Sequence, residues 1–164
     1  MPYHKNLKMD TTVNLTKEEA AYLAGVFDGE GSIGLYYCKS HSVPKVQITI
    51  TNTDFNLRDW LKSKILWVSI HNRKPNNGRL GTKDLWHWKV SNRGQVKAIL
   101  EVLVPFLIVK LSQTKLILSL LDDEKEELGN RDYNKNPSPE LRKRQRDTEV
   151  NLKLLKRSQT AIVH

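Results

Sequence analysis

The spacing of apolar residues along this chain switches between helical and alternating periods, and each switch predicts an element. Thr16 opens a first helix: "TKEE" places Glu19 three residues after a threonine, the spacing at which hydroxyl and carboxylate satisfy each other's backbone amides. The helix is expected to run to about Asp28, with Ala21, Ala24, Gly25 and Val26 near one face. "GSIGLYYCK" then reads as a strand. "VPKVQITITNT" is a cleaner one, because Val46, Ile48 and Ile50 alternate with Gln47, Thr49 and Thr51. One face of it is apolar, and the other is a row of hydrogen-bonding groups in register with Lys45.

Helical spacing returns at Phe55, Leu57, Trp60, Leu61 and Ile65, behind Asp54 as N-cap. "WVSIHNRK" and "LWHWKVSN" are two further strands joined by "PNNGRLGTKD", whose Pro, Asn and Gly residues mark a mobile basic hairpin loop. "RGQVKAILEVLVPFLIVKLSQTKLILSLL" is helical, broken near Pro105, which strains a helix interior. "DDEKEELGNRDYNKNPSP" reads as a polar linker. Ser138 and Pro139 then pair as N-cap and first-turn residue of a basic final helix. The four tryptophans, Trp60, Trp67, Trp86 and Trp88, read as core or sheet packing rather than stacking platforms. This order of elements is α+β with one mostly antiparallel sheet.

Composition narrows the class. With 164 residues, 38% apolar and 27% charged, the chain is one soluble domain's worth. Its longest apolar run, "AILEVLVPFLIV", contains Glu101 and Pro105 and is too short to span a bilayer, so no membrane partner is expected. No signal-peptide shape precedes Thr16. The lone Cys38 makes no internal disulfide and no cysteine metal site, which points to an intracellular, reducing compartment. Lys and Arg number 27 against 18 acidic residues, a net charge of +9. That balance favours a polyanionic partner, most commonly nucleic acid.

"YLAGVFDGEGSIGLYY" poses the sharpest question, because it sets four glycines and two carboxylates where helix becomes strand. Gly25 and Gly29 lie four apart on one helix face, and Ala21 extends that stripe by a turn. Each glycine costs the helix about 1 kcal/mol relative to alanine. Its missing Cβ returns something only where another backbone approaches closely, so the stripe predicts tight packing against a partner. Gly31 is expected to be a left-handed helix stop. Glu30 sits at a helix C-terminus, where a carboxylate is disfavoured by about 0.3–1 kcal/mol. A divalent cation would reverse that sign, and magnesium needs only one or two carboxylates beside water and phosphate. Read without that cation, "DGEG" is an ordinary turn.

"LAGVFDGEG", Leu23 to Gly31, resembles the nine-residue signature of the LAGLIDADG homing endonucleases. Val26 and Phe27 stand at its apolar positions, Gly29 at a small one and Glu30 at its second acid. "PFLIVKLSQTKLIL", Pro105 to Leu118, is similar to the family's later segment that delivers an active-site lysine, here Lys110. From Thr16 to about Leu121 the order of elements matches the family's αββαββα core with a curved antiparallel four-stranded sheet, plus C-terminal helices. The division is then 1–15 as an N-terminal extension, 16–121 as the endonuclease core, and 122–164 as linker and basic helix on or beside it, a single domain overall.

The resemblance implies a homodimer, since this chain has one motif, with Ala21, Gly25 and Gly29 at the interface. It implies that Glu30, with a carbonyl near Gly29, binds Mg²⁺ or another divalent cation such as Mn²⁺, and that Asp28 is mainly structural. Lys110 would stand near the phosphate, Asn52 would position water, and Arg58 is the second basic candidate. DNA reading falls on the sheet: Tyr36, Lys45, Gln47 and Thr49 from the first two strands, His71, Arg73, His87 and Lys89 from the last two. Tyr36 and His87 fit ordinary sheet packing equally well. Arg79 and Lys83 in the hairpin loop suit phosphate better than base. The final basic helix suits a DNA flank and a solvated face equally. The implied activity is metal-dependent cleavage of both strands of a long, pseudo-palindromic double-stranded DNA target, with no small-molecule substrate. The host would be an intron in an organelle (chloroplast or mitochondrion) or a prokaryotic cytoplasm. The alternatives are an intron RNA maturase and a non-catalytic DNA-binding regulator of the same fold.

Overall fold

The computed structural model of the protein describes residues 10–39, 41–74, 83–129 and 136–160. Five α-helices and four strands follow one another as α1 (Lys17–Glu30), β1 (Gly31–Tyr36), β2 (Lys45–Asn52), α2 (Phe55–Lys64), β3 (Ser69–Arg73), β4 (Leu85–Val90), α3 (Arg93–Leu103), α4 (Leu111–Leu128) and α5 (Pro139–Thr160). A short 3-10 turn, Val104–Phe106, carries Pro105 between α3 and α4. The architecture is α+β, as the periods predict.

The strands form one antiparallel sheet in the order β1-β2-β4-β3. Its inner face is apolar: Ile33 pairs with Ile48 and Ile48 with Val90, while Ile50 pairs with Trp88 and Trp88 with Ile70. Trp86 and Trp88 are fully buried there, and Trp60 and Trp67 pack against the same core, where Trp67 Nε1 donates to the Thr12 carbonyl at 2.8 Å. α1 lays Ala20, Leu23, Ala24 and Phe27 on this face, and α3 adds Val96, Ile99, Leu100 and Leu103. The Thr16–Glu19 capping box and the Asp54 cap, which accepts from Asn56 and Leu57, are both formed.

Four local expectations change. α1 continues through Glu30, so Asp28, Gly29 and Glu30 are helical and not a turn. Ala24 faces the core while Ala21 and Gly25 face outward, so these residues do not share a face. Gly31 is extended, with φ −80° and ψ 159°, and not left-handed. It is glycine because a Cβ there would meet the Phe27 ring and carbonyl at 2.3–2.7 Å. The left-handed helix stop is Gly129, φ 73°, at the end of α4.

The fourth change is the seven residues Asp122–Leu128, expected in a linker, which complete α4. Their charged composition suggested solvent, yet Leu120, Leu121, Glu124 and Leu128 keep a helical period and are buried. Glu124, 1% exposed, accepts from Arg93 Nε at 2.6 Å and from Gln145 Nε2 at 2.8 Å. Arg93 also donates to the Pro44 carbonyl at 2.7 Å. This buried network ties α3, α4 and the loop before β2 to α5, which seats α5 against the core.

Candidate active site and nucleic-acid interface

The end of α1 gives the two motif acids different surroundings. The Asp28 carboxylate accepts three consecutive backbone N–H groups, from Ile108 at 2.7 Å, Val109 at 3.1 Å and Lys110 at 2.8 Å. Those amides belong to the turn entering α4, so Asp28 pins that turn to the helix end, 80 positions away in sequence for Ile108. The Lys110 ammonium in turn donates to the Asp28 carbonyl. Glu30, one step beyond, is exposed, and no side-chain hydrogen bond engages it among the described residues. It lies close enough for its charge to act on Lys110, whose pKa burial pulls below the ordinary value while Asp28 and Glu30 pull it back up.

A cleft of about 270 Å³ opens immediately after Glu30, lined by Gly31, Ser32, Lys110, Gln113, Lys156 and Gln159. Gln113 donates to Gln159 Oε1 at 2.7 Å, and Gln159 donates to the Val109 carbonyl, so α5 grips the turn that carries Lys110. Burial also lowers the Lys156 pKa. Sequence reasoning missed Gln113, Lys156 and Gln159. The signal was present as a stripe on the final helix: Leu141, Gln145, Thr148 and Leu152 are buried at three- and four-residue spacing, and Lys156 and Gln159 continue it.

Asn52 ends β2 at the end of the sheet where β1 leaves Glu30, since Gly31 pairs with Ile50. Its Oδ1 accepts from the Asp54 amide at 2.8 Å, so that oxygen already helps start α2. Arg58 is engaged by Asp59 at 2.7 Å, by Asn72 at 3.2 Å and by the Phe55 ring 4.7 Å from its guanidinium.

The outer face of the sheet carries the predicted polar rows. Ser32, Thr49, Lys89 and Ser69 lie side by side across all four strands, and Thr51, His87 and His71 form the next row. Gln47 stands opposite Gly34, and Lys45 opposite Tyr36. A Cβ on Gly34 would meet the Tyr36 ring at 2.4 Å, so that ring lies across the glycine. Thr51 Oγ1 is 2.7 Å from His87 Nδ1, and Ser69 Oγ is 3.0 Å from His71 Nε2. Burial, then the charges of Lys89, Arg73 and His71, lowers the His87 pKa, so its ring is neutral near pH 7. Tyr36, Lys45, His71, Arg73, Lys83 and Lys89 are exposed, and Gln47, Thr49 and His87 half-buried. Arg79 and most of the hairpin loop lie outside the described residues.

Ala21, Gly25 and Gly29 are exposed, and a Cβ at either glycine would meet nothing within 4 Å. Nothing within the described chain therefore requires glycine there. The exposed Ile108 and Val109 sit beside the same helix end. For a divalent cation, Asp28 is already engaged by three amides, which leaves Glu30 as the exposed carboxylate at this helix end. No group of three or more His, Cys, Asp or Glu is found among the described residues. That donor set suits magnesium, which keeps waters and phosphate oxygens, better than a closed protein cage. No described helix is long and apolar enough to cross a membrane.

No protein-family model matches the sequence, and no curated protein does. Solved structures do match the fold. The homing endonuclease I-CvuI, bound to its DNA target in the presence of calcium, superposes with a TM-score of 0.62 at 20% identity, over 85% of this chain and 82% of its own. The archaeal intron-encoded homing endonuclease I-Vdi141I, complexed with DNA, gives 0.63 at 16% identity over 84% of each chain. The meganuclease I-SmaMI, bound to uncleavable DNA, gives 0.61 at 17% identity over 80% of this chain and 44% of its own, so this chain spans under half of that one. The chain has the fold of the LAGLIDADG homing endonucleases.

Proposed function

We propose that this chain is a homodimeric, divalent-metal-dependent, site-specific DNA endonuclease that breaks both strands of a long, nearly palindromic target. The observation that carries the reading is the division of labour at the end of α1. Asp28 is fully engaged by backbone amides, while Glu30 is left open beside the half-buried Lys110. A helix-terminal carboxylate that no side-chain hydrogen bond engages among the described residues is what a metal-binding acid requires.

Glu30, with the Gly29 carbonyl, would hold Mg²⁺ or Mn²⁺, which when bound supplies Lewis-acid stabilisation of the charge that develops at a phosphate. Lys110, fixed through its backbone amide and its ammonium, would place a positive charge at a non-bridging oxygen without reorganising during the reaction. Asn52, at the end of β2, would orient water through its amide nitrogen. The outer sheet rows would lie in the major groove: Gln47 and Arg73 have bidentate partners on adenine and guanine, while Lys45, Lys89, Lys83 and Arg79 add backbone attraction. The open Ala21–Gly25–Gly29 face pairs two copies backbone to backbone and brings two Glu30 groups to opposite strands.

A cleavage selection from a randomised duplex library with Mg²⁺ tests this directly. Recovered sites should be cut on both strands and show two-fold symmetry. Recovery of no cut sequence, or of asymmetric sites only, would overturn the reading. Binding should also weaken steeply with salt, each neutralised phosphate adding about 0.9 to the log–log slope.

A further inference from the structure

We propose that Thr51 is a positioning residue for base recognition: its hydroxyl donates to His87 Nδ1, so the ring presents an Nε2–H to the DNA major groove and selects guanine over cytosine. The inference rests on the DNA-binding reading of the sheet and deepens it. Thr51 and His87 stand directly opposite each other on β2 and β4, with Thr51 Oγ1 2.7 Å from His87 Nδ1. That separation is typical of a donating hydroxyl and shorter than the about 2.9–3.0 Å usual for an N–H donor. A ring nitrogen that accepts carries no proton, so a neutral imidazole keeps its proton on Nε2. Burial, then the charges of Lys89, Arg73 and His71, lowers the His87 pKa and holds the ring neutral. Nε2 has no hydrogen bond among the described residues, and the ring lies on the outer face of the sheet. A fixed N–H donor there matches guanine, whose major-groove edge offers N7 and O6 as acceptors. It meets cytosine donor to donor, because the N4 amino group also donates. The register also sets which base is read. Gly31 pairs with Ile50, so the row of Thr51, His87 and His71 lies at the end of the sheet where β1 leaves Glu30. The base is therefore at the inner end of each half-site, next to the proposed cleavage positions.

The ordinary alternative is a cross-strand pair that only stabilises the sheet. Base preference separates the two. Duplexes bound by the full chain are selected from a randomised library, with no requirement for cleavage, using wild type, Thr51→Val and Thr51→Ser. Thermal denaturation checks each fold, and nitrogen NMR of the His87 ring reads its tautomer. Wild type and Thr51→Ser should select guanine at one inner position of each half-site. In Thr51→Val the preference for guanine over cytosine should fall about fivefold, the effect of about one hydrogen bond, and both tautomers should appear. If Thr51→Val does not fold, Thr51→Ala should show the same loss. An unchanged preference in the folded variant, or a neutral wild-type ring protonated on Nδ1, overturns the inference while leaving the nuclease reading intact. A Thr51-dependent guanine in a protein that cuts no library member sustains the inference and removes the nuclease reading. Selection of no common sequence overturns both.

Discussion

The inward and outward sides of α1 are made from the same fourteen residues and obey different rules. Inward, Ala20, Leu23, Ala24 and Phe27 are buried, and the Asp28 carboxylate is filled by three amides. Outward, Ala21, Gly25, Gly29 and Glu30 meet solvent, and two glycines stand where the chain itself has room for a methyl group. Folding explains the first side completely. The second side lowers helix stability by about 1 kcal/mol per glycine and leaves a carboxylate at the negative end of the helix dipole. A sequence that accepts both costs is shaped by something outside its own core.

Glu30→Gln should have the largest effect, lowering cleavage about a thousandfold or more with duplex affinity and thermal midpoint nearly unmoved. Persistent Mg²⁺-dependent cutting by that variant would remove Glu30 from the chemistry. Chelation of divalent ions should mimic it, stopping cleavage without unfolding the protein, as thermal denaturation with and without chelator would show.

Asp28→Ala should do the reverse, destabilising the fold because three backbone amides lose their acceptor. A cost of about 3 kcal/mol is expected in denaturant unfolding, with cleavage falling in step. Normal stability in that variant would show that the turn before α4 does not depend on Asp28. Gly25→Val should convert a dimer to a monomer in sedimentation, and an intact dimer would move the interface elsewhere. Gly25→Ala is the finest probe: it should raise the stability of the separated chain by up to about 1 kcal/mol while weakening self-association. If both quantities rise together, no backbone approaches that position.

Much of this was legible locally. The capping box at Thr16, the alternation of β2, the Asp54 cap, the break at Pro105 and the small-residue stripe each follow from neighbours within one or two turns of chain. Two boundaries are not legible this way: at Asp122–Leu128 the charged composition masks a helical period, and at Gly31 residue type alone does not reveal the backbone conformation. A local pattern could not show that Gly31 is glycine because the Phe27 ring occupies the space of a Cβ.

The sequence by itself determined which faces exist: an apolar and a polar side for the sheet, and a filled and a vacant side for α1. Tertiary structure alone decided what meets at their ends. It brought the amides of residues 108–110 to Asp28, seated α5 through Glu124, and set Lys156 and Gln159 beside Lys110. The physical reason is that side-chain period is a property of neighbouring residues, whereas a hydrogen bond between positions 80 apart depends on how every element between them packs.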